Sequence, residues 1–312
     1  MQYDLVIIGA GPAGLTAAMF ARRNGVNVLV LNSLEQLSNL ALSHLVENHP
    51  GEKGIPGIEL LEKMREQVIA IGVEIKDEKT ISIKKDKHFI VKTEENEYEC
   101  CSVILATGLV SRKANIPGEE KYLGHGVSYC VLCDGPLFKG KNVVVIGGGD
   151  SAVSGAVQLK EMGVKKVYLI HRRDEFRAED ANMDKMKGKV DAILNSVVEQ
   201  IAGERFVESV RIKNTKTGET KMLAVDAVFI EIGYVPTAEL AKNLGVKLDE
   251  NGFVTVDENR ETNIPGVFAA GDVTSKPLKI LVAAYSDGAI AGLNAAQYAC
   301  DIRGKKFERH LY

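Results

Sequence analysis

The residues of this chain best suited to chemistry are Cys130 and Cys133, separated by Val131 and Leu132 and followed directly by Asp134. At that spacing one sulfur can form and resolve a disulfide with the other, and the surroundings can draw a thiol pKa from about 8.5 toward 7 or below. Asp134 is the adjacent carboxylate for carrying a proton to a leaving thiolate, although Asp134-Gly135 also suits a plain turn. Zinc is the other use of such a pair. It usually takes a second pair of Cys or His ligands, and none follows at metal spacing. The chain has five cysteines in all, and an odd count in a chain long enough to bury a core excludes a disulfide scaffold. Cys100, Cys101 and Cys300 therefore read as packing thiols. His44, His49 and His125 show no metal spacing, and His125, just ahead of the Cys pair, is the one placed to tune it.

Two further segments carry a phosphate-binding pattern. Gly9-Ala10-Gly11-Pro12-Ala13-Gly14 follows the apolar run from Tyr3 to Ile8, and Gly147-Gly148-Gly149-Asp150-Ser151-Ala152 follows that from Asn142 to Ile146. In such a turn the first glycine bends the chain and the second lets backbone approach a pyrophosphate. The third small residue lets helix pack on strand, with the phosphates over the helix N-terminus. Gly9, Gly11, Pro12, Ala13 and Gly14 are thus candidates for one dinucleotide, and Gly147, Gly149, Asp150, Ser151 and Ala152 for another. About twenty residues on, an acid would bind ribose hydroxyls and an arginine a 2′-phosphate. At the second site that position reads His171-Arg172-Arg173, with Arg177 close behind. Three guanidiniums with no competing acid favour NADPH over NADH. At the first site the position is Asn32, able to hydrogen-bond ribose but not the expected carboxylate.

Strands and helices must hold these residues. Each glycine turn reads as part of a βαβ unit of about thirty residues. Between the two units lie a helix pattern at 58–71, short alternating runs to residue 100, and a buried-strand run from Ser102 to Gly108. Turn-rich residues 111–120 and the change of character at 232–236 read as crossings between domains. After the second crossing comes a strand ending in Gly271-Asp272, then a last helix pattern over 279–300. The expected fold class is α/β, with two Rossmann-like dinucleotide-binding domains, the second inserted into the first. The boundaries are 1–112 and 244–312 for the first domain and 113–243 for the second, which carries the Cys pair. A composition of 45% hydrophobic and 26% charged residues with net charge −3, and no block of five or more like charges, excludes a disordered chain and a basic nucleic-acid binder. The uncharged run from Leu5 to Ala21 is short of the ~20 apolar residues of a membrane span and is broken by glycines and Pro12. With Asp4 where a signal peptide would be positive, a soluble, cytoplasmic protein is expected.

Together these parts resemble the low-molecular-weight thioredoxin reductases, flavoprotein disulfide reductases with two dinucleotide domains. The resemblance runs from about Tyr3 to Tyr298. It is carried by the first glycine turn, Val46-Glu-Asn48-His-Pro50-Gly, Ala106-Thr107-Gly108, Tyr129-Cys130-Val-Leu-Cys133-Asp134-Gly135, the second glycine turn, His171-Arg-Arg173 through Arg177-Ala178, and Gly266-Val-Phe-Ala-Ala-Gly271-Asp272. The placing of the Cys pair just before the second glycine turn is its most specific mark. The resemblance implies FAD in the first domain, held by the first turn with Asn32, Asn39, Asn48, Thr107, Gly108, Gly271, Asp272 and Lys279, with Asp272 near the ribityl chain. It implies NADPH in the second. Cys133 would face the flavin, Cys130 would attack the disulfide of thioredoxin or a glutaredoxin-like protein, and Asp134 would handle the proton. A homodimer is implied, as is rotation of the second domain about linkers near 111–117 and 233–244.

The departures from the family fall on the flavin side. Asn32 stands for Glu, Leu37-Ser38-Asn39-Leu40 for Gly-Gly-Gln-Leu, and Lys279-Ile280 for Arg-Gln. They lead us to expect weaker FAD retention than in typical relatives, which a full flavin complement after extensive dialysis would contradict. Two other readings stay open: a related reductase with a different donor or a glutaredoxin-like acceptor, and a non-catalytic, redox-responsive binding protein. Flavin bands that bleach with NADPH support the first reading, bands that persist a different donor, and the absence of any flavin the binding protein.

Overall fold

The apolar run near the start of the chain forms strand β1 (Tyr3–Ile8), and all six of its residues are buried, as a central parallel strand covered on both faces requires. The computed structural model describes every residue except Met1, Gln36, His44, Leu45, Glu47, Lys53, Pro277 and residues 308–312. His44, and Glu47 within the Val46–Gly51 motif, thus lie outside the described residues.

After β1 come α1 (Pro12–Arg23), β2 (Val28–Leu31), α2 (Gly57–Ala70), β3 (Glu74–Lys76), β4 (Thr80–Lys85), β5 (Phe89–Thr93), β6 (Glu97–Leu105) and β7 (Leu109–Ser111). The middle of the chain holds β8 (Val127–Ser128), α3 (Val131–Asp134), β9 (Asn142–Gly147), α4 (Asp150–Glu161), β10 (Lys166–Ile170), α5 (Asp180–Met186) and β11 (Asp191–Ile193). There follow β12 (Ser196–Ala202), β13 (Ser209–Asn214), β14 (Thr220–Ala224) and β15 (Ala227–Glu231). The last elements are β16 (Tyr234–Pro236), α6 (Glu239–Leu244), β17 (Val267–Ala269) and α7 (Leu281–Ile302).

The chain divides into one unit of Met1–Val110 with Val235–Tyr312 and a second of Ser111–Tyr234. In the first unit the sheet runs β3-β2-β1-β6-β5-β4, with β17 also on β6. On one face, α1, α2 and α7 pack against Leu5, Ile7, Val28 and Val30. Two glycines let α7 lie close on α1. A Cβ at Gly288 would stand 2.2 Å from the Ala13 carbonyl oxygen, and one at Gly292 2.4 Å from that of Ala17.

In the second unit the sheet runs β11-β10-β9-β15-β8, all parallel. Helices α3 and α4 cover one face through Val131, Ala152 and Val153. The antiparallel meander β12-β13-β14 contributes Val198, Ile201, Val210 and Ile212 to the core on Val144 and Val228 of the other. Each sheet has the α/β doubly wound form expected from the glycine turns, and the second unit lies in sequence within the first. Residues 235–243, expected in the inserted domain, pack instead with the first unit. Ala238 and Ala241 are buried there with Leu29, Leu31 and Val254, because α6 turns its apolar side to that core.

Candidate functional site

The first glycine turn is dictated by close packing. Gly9 has φ +109°, and a Cβ there would lie 2.3 Å from the Ala106 oxygen; one at Gly14 would lie 1.9 Å from the Gly9 oxygen. Neither clash can be relieved by a side-chain shift, since both neighbours are backbone. The turn opens onto a cleft of about 1080 Å³ in the first unit, lined by Gly9, Gly11, Pro12, Asn32, Asn39, Asn48, Thr107, Asp272 and Lys279. That is the size of a large-ligand site. Ala13, Gly14, Gly108 and Gly271 are not part of this lining. Gly14 supports Gly9, a Cβ at Gly271 would meet that of Ala13 at 2.8 Å, and the Gly108 carbonyl accepts from Thr237 N–H at 3.0 Å.

Two polar side chains of the cleft are held by protein partners. Asn32 Nδ2 donates to Asp77 Oδ1 at 2.8 Å, so its amide is oriented by a carboxylate in the loop after β3. Lys279 Nζ donates to the carbonyl of Asp272 at 3.0 Å and to that of Thr274, and stands 4.3 Å from the Phe253 ring centroid. Burial holds the Lys279 ammonium below its ordinary pKa and, with Asp287 nearby, lifts the Asp272 carboxyl above its own against the pull of Lys279. Leu37, Ile81 and Ile280 add aliphatic surface to the cleft wall.

Beneath Gly271 lies a buried ion pair. Arg260 Nε donates to Asp287 Oδ1 at 2.6 Å, and Asp287 Oδ2 accepts from Gly271 N–H at 3.3 Å. Arg260 takes the left-handed φ of 64°, uncommon for a residue with a side chain, and also donates to the Glu258 carbonyl at 3.1 Å. The pair fixes the Gly271-Asp272 turn from inside. Sequence reasoning passed over it because its partners belong to different elements. Its one signal was Asp287, a charge among small residues in the last helix.

In the second unit the glycine turn is equally tight at its first position. A Cβ at Gly147 would meet the Glu231 oxygen at 2.2 Å and Ala152 Cβ at 2.5 Å. A Cβ at Gly149, by contrast, would have nothing within 4 Å, so its side is open. His171 packs on the turn beside Gly148 and stacks on Phe176 at 5.6 Å. It is buried with Nε2 unpartnered. Burial first, then Arg172 and Arg177, hold its imidazole below the usual pKa. Arg172, Arg173 and Arg177 are exposed, and none is paired with a carboxylate among the described residues. The Arg177 N–H donates to the Gly148 carbonyl at 2.7 Å, which ties the arginine loop to the turn. Asp150 serves the fold instead. Its carboxylate accepts from Glu179 N–H at 2.8 Å and Asn182 Nδ2 at 2.7 Å, holding the start of α5. Ser151 and Ala152 form the first turn of α4.

The Cys pair is a disulfide, Cys130–Cys133, at α3. Ser128 Oγ accepts from Cys130 N–H at 3.0 Å, and Cys130 Sγ accepts from Cys133 N–H at 3.1 Å. Cys130 is half-buried and Cys133 exposed, with Asp134 half-buried beside them. His125 is exposed and contacts Leu123 O and Phe206. Cys100, Cys101 and Cys300 are buried thiols.

Two doubly wound sheets, each with a glycine turn, and a redox disulfide beside one of them define a nucleotide-dependent disulfide oxidoreductase. The family model of the pyridine nucleotide-disulphide oxidoreductases matches residues 3–288. The thioredoxin reductase of Treponema pallidum is 43% identical over 95% of this chain and 97% of its own. The solved thioredoxin reductase of Lactococcus lactis is 39% identical, covers 96% of this chain and 99% of its own, and superimposes with a TM-score of 0.86. That of T. acidophilum is 38% identical, with 96% and 99% covered and a TM-score of 0.83. The chain belongs to the low-molecular-weight thioredoxin reductase family.

Proposed function

We propose that this chain carries electrons from NADPH through FAD and the Cys130–Cys133 pair to the disulfide of thioredoxin. The observation that carries the reading is the placement of that disulfide. It follows β8, at the carboxyl edge of the same sheet in which β9 ends in the glycine turn and β10 in the arginines. The cleft of the first unit suits FAD: Gly9 and Gly11 leave backbone free to approach a pyrophosphate, and Asn48, Thr107, Asp272 and Lys279 supply polar contacts within the lining. When bound, the flavin supplies two-electron exchange between a nicotinamide and a disulfide. The exposed Arg172, Arg173 and Arg177 suit the 2′-phosphate of NADPH.

The hydrogen bond from Cys133 N–H supports Cys130 as the attacking thiolate, since it favours charge on that sulfur. In the reduced pair, Cys130 attacks the partner's disulfide and one partner thiolate leaves, taking a proton from Asp134. Asp134 then takes up the Cys133 proton as Cys133 attacks the Cys130 sulfur, displaces the second partner thiolate and restores the Cys130–Cys133 disulfide. Anaerobic NADPH titration of the flavoprotein, followed by addition of thioredoxin, tests the scheme. In Cys133→Ser the flavin still bleaches with NADPH while thioredoxin reduction falls by at least about a thousandfold. Retained turnover would refute the role of the pair, and flavin bands that persist with NADPH would point to another donor.

A further inference from the structure

Along the carboxyl edge of the second unit's sheet, four chain segments succeed one another: the arginines after β10, the glycine turn after β9, Glu231 at the end of β15, and Cys130 after β8. Glu231 is paired in register with Gly147. On its other side β15 pairs with β8 at Val228–Val127 and Phe229–Ser128, so Glu231 and Cys130 each lie two residues beyond the last of these pairs. Alternation along the strand gives Glu231 the face of Phe229, the one covered by Val131 of α3 and Ala152 of α4. Glu231 is half-buried at the strand end, and its carboxyl has no hydrogen-bond or ion-pair partner among the described residues, which leaves it available to a ligand lying over β15.

We propose that Glu231 binds the carboxamide of the nicotinamide ring. The inference rests on the NADPH reading. A dinucleotide whose 2′-phosphate meets the arginines beyond β10 and whose pyrophosphate crosses the turn after β9 sends its other ring over β15, across the point where strand order reverses. Glu231 is the residue that ends β15. A carboxyl there offers an acceptor to the amide N–H₂ and, when protonated, a donor to its carbonyl. An ionised carboxylate in register with a phosphate-binding glycine would repel the nucleotide's charge. Burial pushes the Glu231 pKa up to about 7, so the neutral form is accessible where the phosphates lie. The same placement brings the ring to the strand end next to the redox cysteines.

Calorimetric titration of the holoenzyme with NADP⁺ and, separately, with 2′,5′-ADP, which lacks the nicotinamide, tests the assignment without turnover. Glu231→Ala should weaken NADP⁺ by about tenfold, the worth of one or two hydrogen bonds, and leave 2′,5′-ADP unchanged. Glu231→Gln, which keeps a donor and an acceptor, should bind NADP⁺ within about twofold of the wild type. Equal weakening of both ligands in Glu231→Ala, no weakening of either, or a Gln variant as weak as the Ala variant would overturn the proposal. A change in the rate of thioredoxin reduction with NADP⁺ affinity intact would overturn it too, and would assign the carboxyl to the cysteines. Wild-type protein that binds neither ligand would bring down the NADPH reading itself, a result distinct from all of these.

Discussion

The chain builds the same strand-glycine-helix turn twice and surrounds it in opposite ways. At Gly9 the turn opens into a cleft in which one amide and one ammonium are already tied to protein partners, Asn32 to Asp77 and Lys279 to the carbonyls after Gly271. At Gly147 the turn is flanked by exposed arginines without carboxylate partners among the described residues. A deep, pre-organised cleft suits a group that stays. An exposed cationic edge suits one that arrives by electrostatic steering and leaves each cycle. The turn sets only where a pyrophosphate lies, and the neighbouring side chains decide how long it remains.

The largest expected effect separates a glycine that packs the turn from one that faces a ligand. Gly14→Ala places a methyl 1.9 Å from the Gly9 carbonyl oxygen, and we expect it to cost about 3 kcal/mol or more, seen as a fall in urea midpoint and loss of bound flavin. Gly149→Ala meets nothing within 4 Å, so its denaturation should change by less than about 0.5 kcal/mol, while its affinity for NADP⁺ falls because the methyl occupies the approach of the phosphates. Equal losses of stability at the two positions would erase the distinction between packing glycine and ligand-facing glycine. Next in size, Arg172→Ala with Arg173→Ala should weaken NADPH by about a hundredfold, nearly 3 kcal/mol, and NADH by only a few fold, measured as Kd in the oxidised protein. Equal loss for both nucleotides would remove the phosphate clamp from the second turn.

The smallest expected effect is a pH dependence confined to the second unit. His171 is buried, and its folded pKa is lowered by that burial and by Arg172 and Arg177. The unfolded chain therefore takes up its proton more readily. The stability tied to the neutral ring is fully present above the ordinary histidine pKa of about 6.5 and is lost as pH falls through it toward the lower folded value. Thermal melts of wild type minus His171→Gln from pH 8 to pH 5 should show this loss; a difference independent of pH would show that folding leaves the ring's proton affinity unchanged.

Much of this architecture was legible because it is local. Both βαβ units, the buried run into Thr107 and the last helix announce themselves by glycine spacing and hydrophobic period, and the Cys-x-x-Cys pair is read directly. The partners that orient the sites were not legible. Asn32 finds Asp77, Arg260 finds Asp287 and Glu231 ends beside Gly147 through packing between elements distant in sequence, and no local pattern encodes such meetings. The assignment of 235–243 failed for a related reason: the turn chemistry near Gly233 marks the crossing, but only burial of Ala238 and Ala241 shows which core claims the helix that follows.

The close seating of α7 on α1 through Gly288 and Gly292 has a consequence for synthesis. Strand β6 receives β17, and the Leu5-Ile7 face receives α7, only when the last part of the chain has been made. Every strand of the second unit's sheet precedes them in sequence. On the ribosome the inserted unit therefore has its full complement of elements while its host still shows an uncovered strand edge and an open apolar face. During that interval the nascent chain depends on the ribosome and its helpers to stay unaggregated.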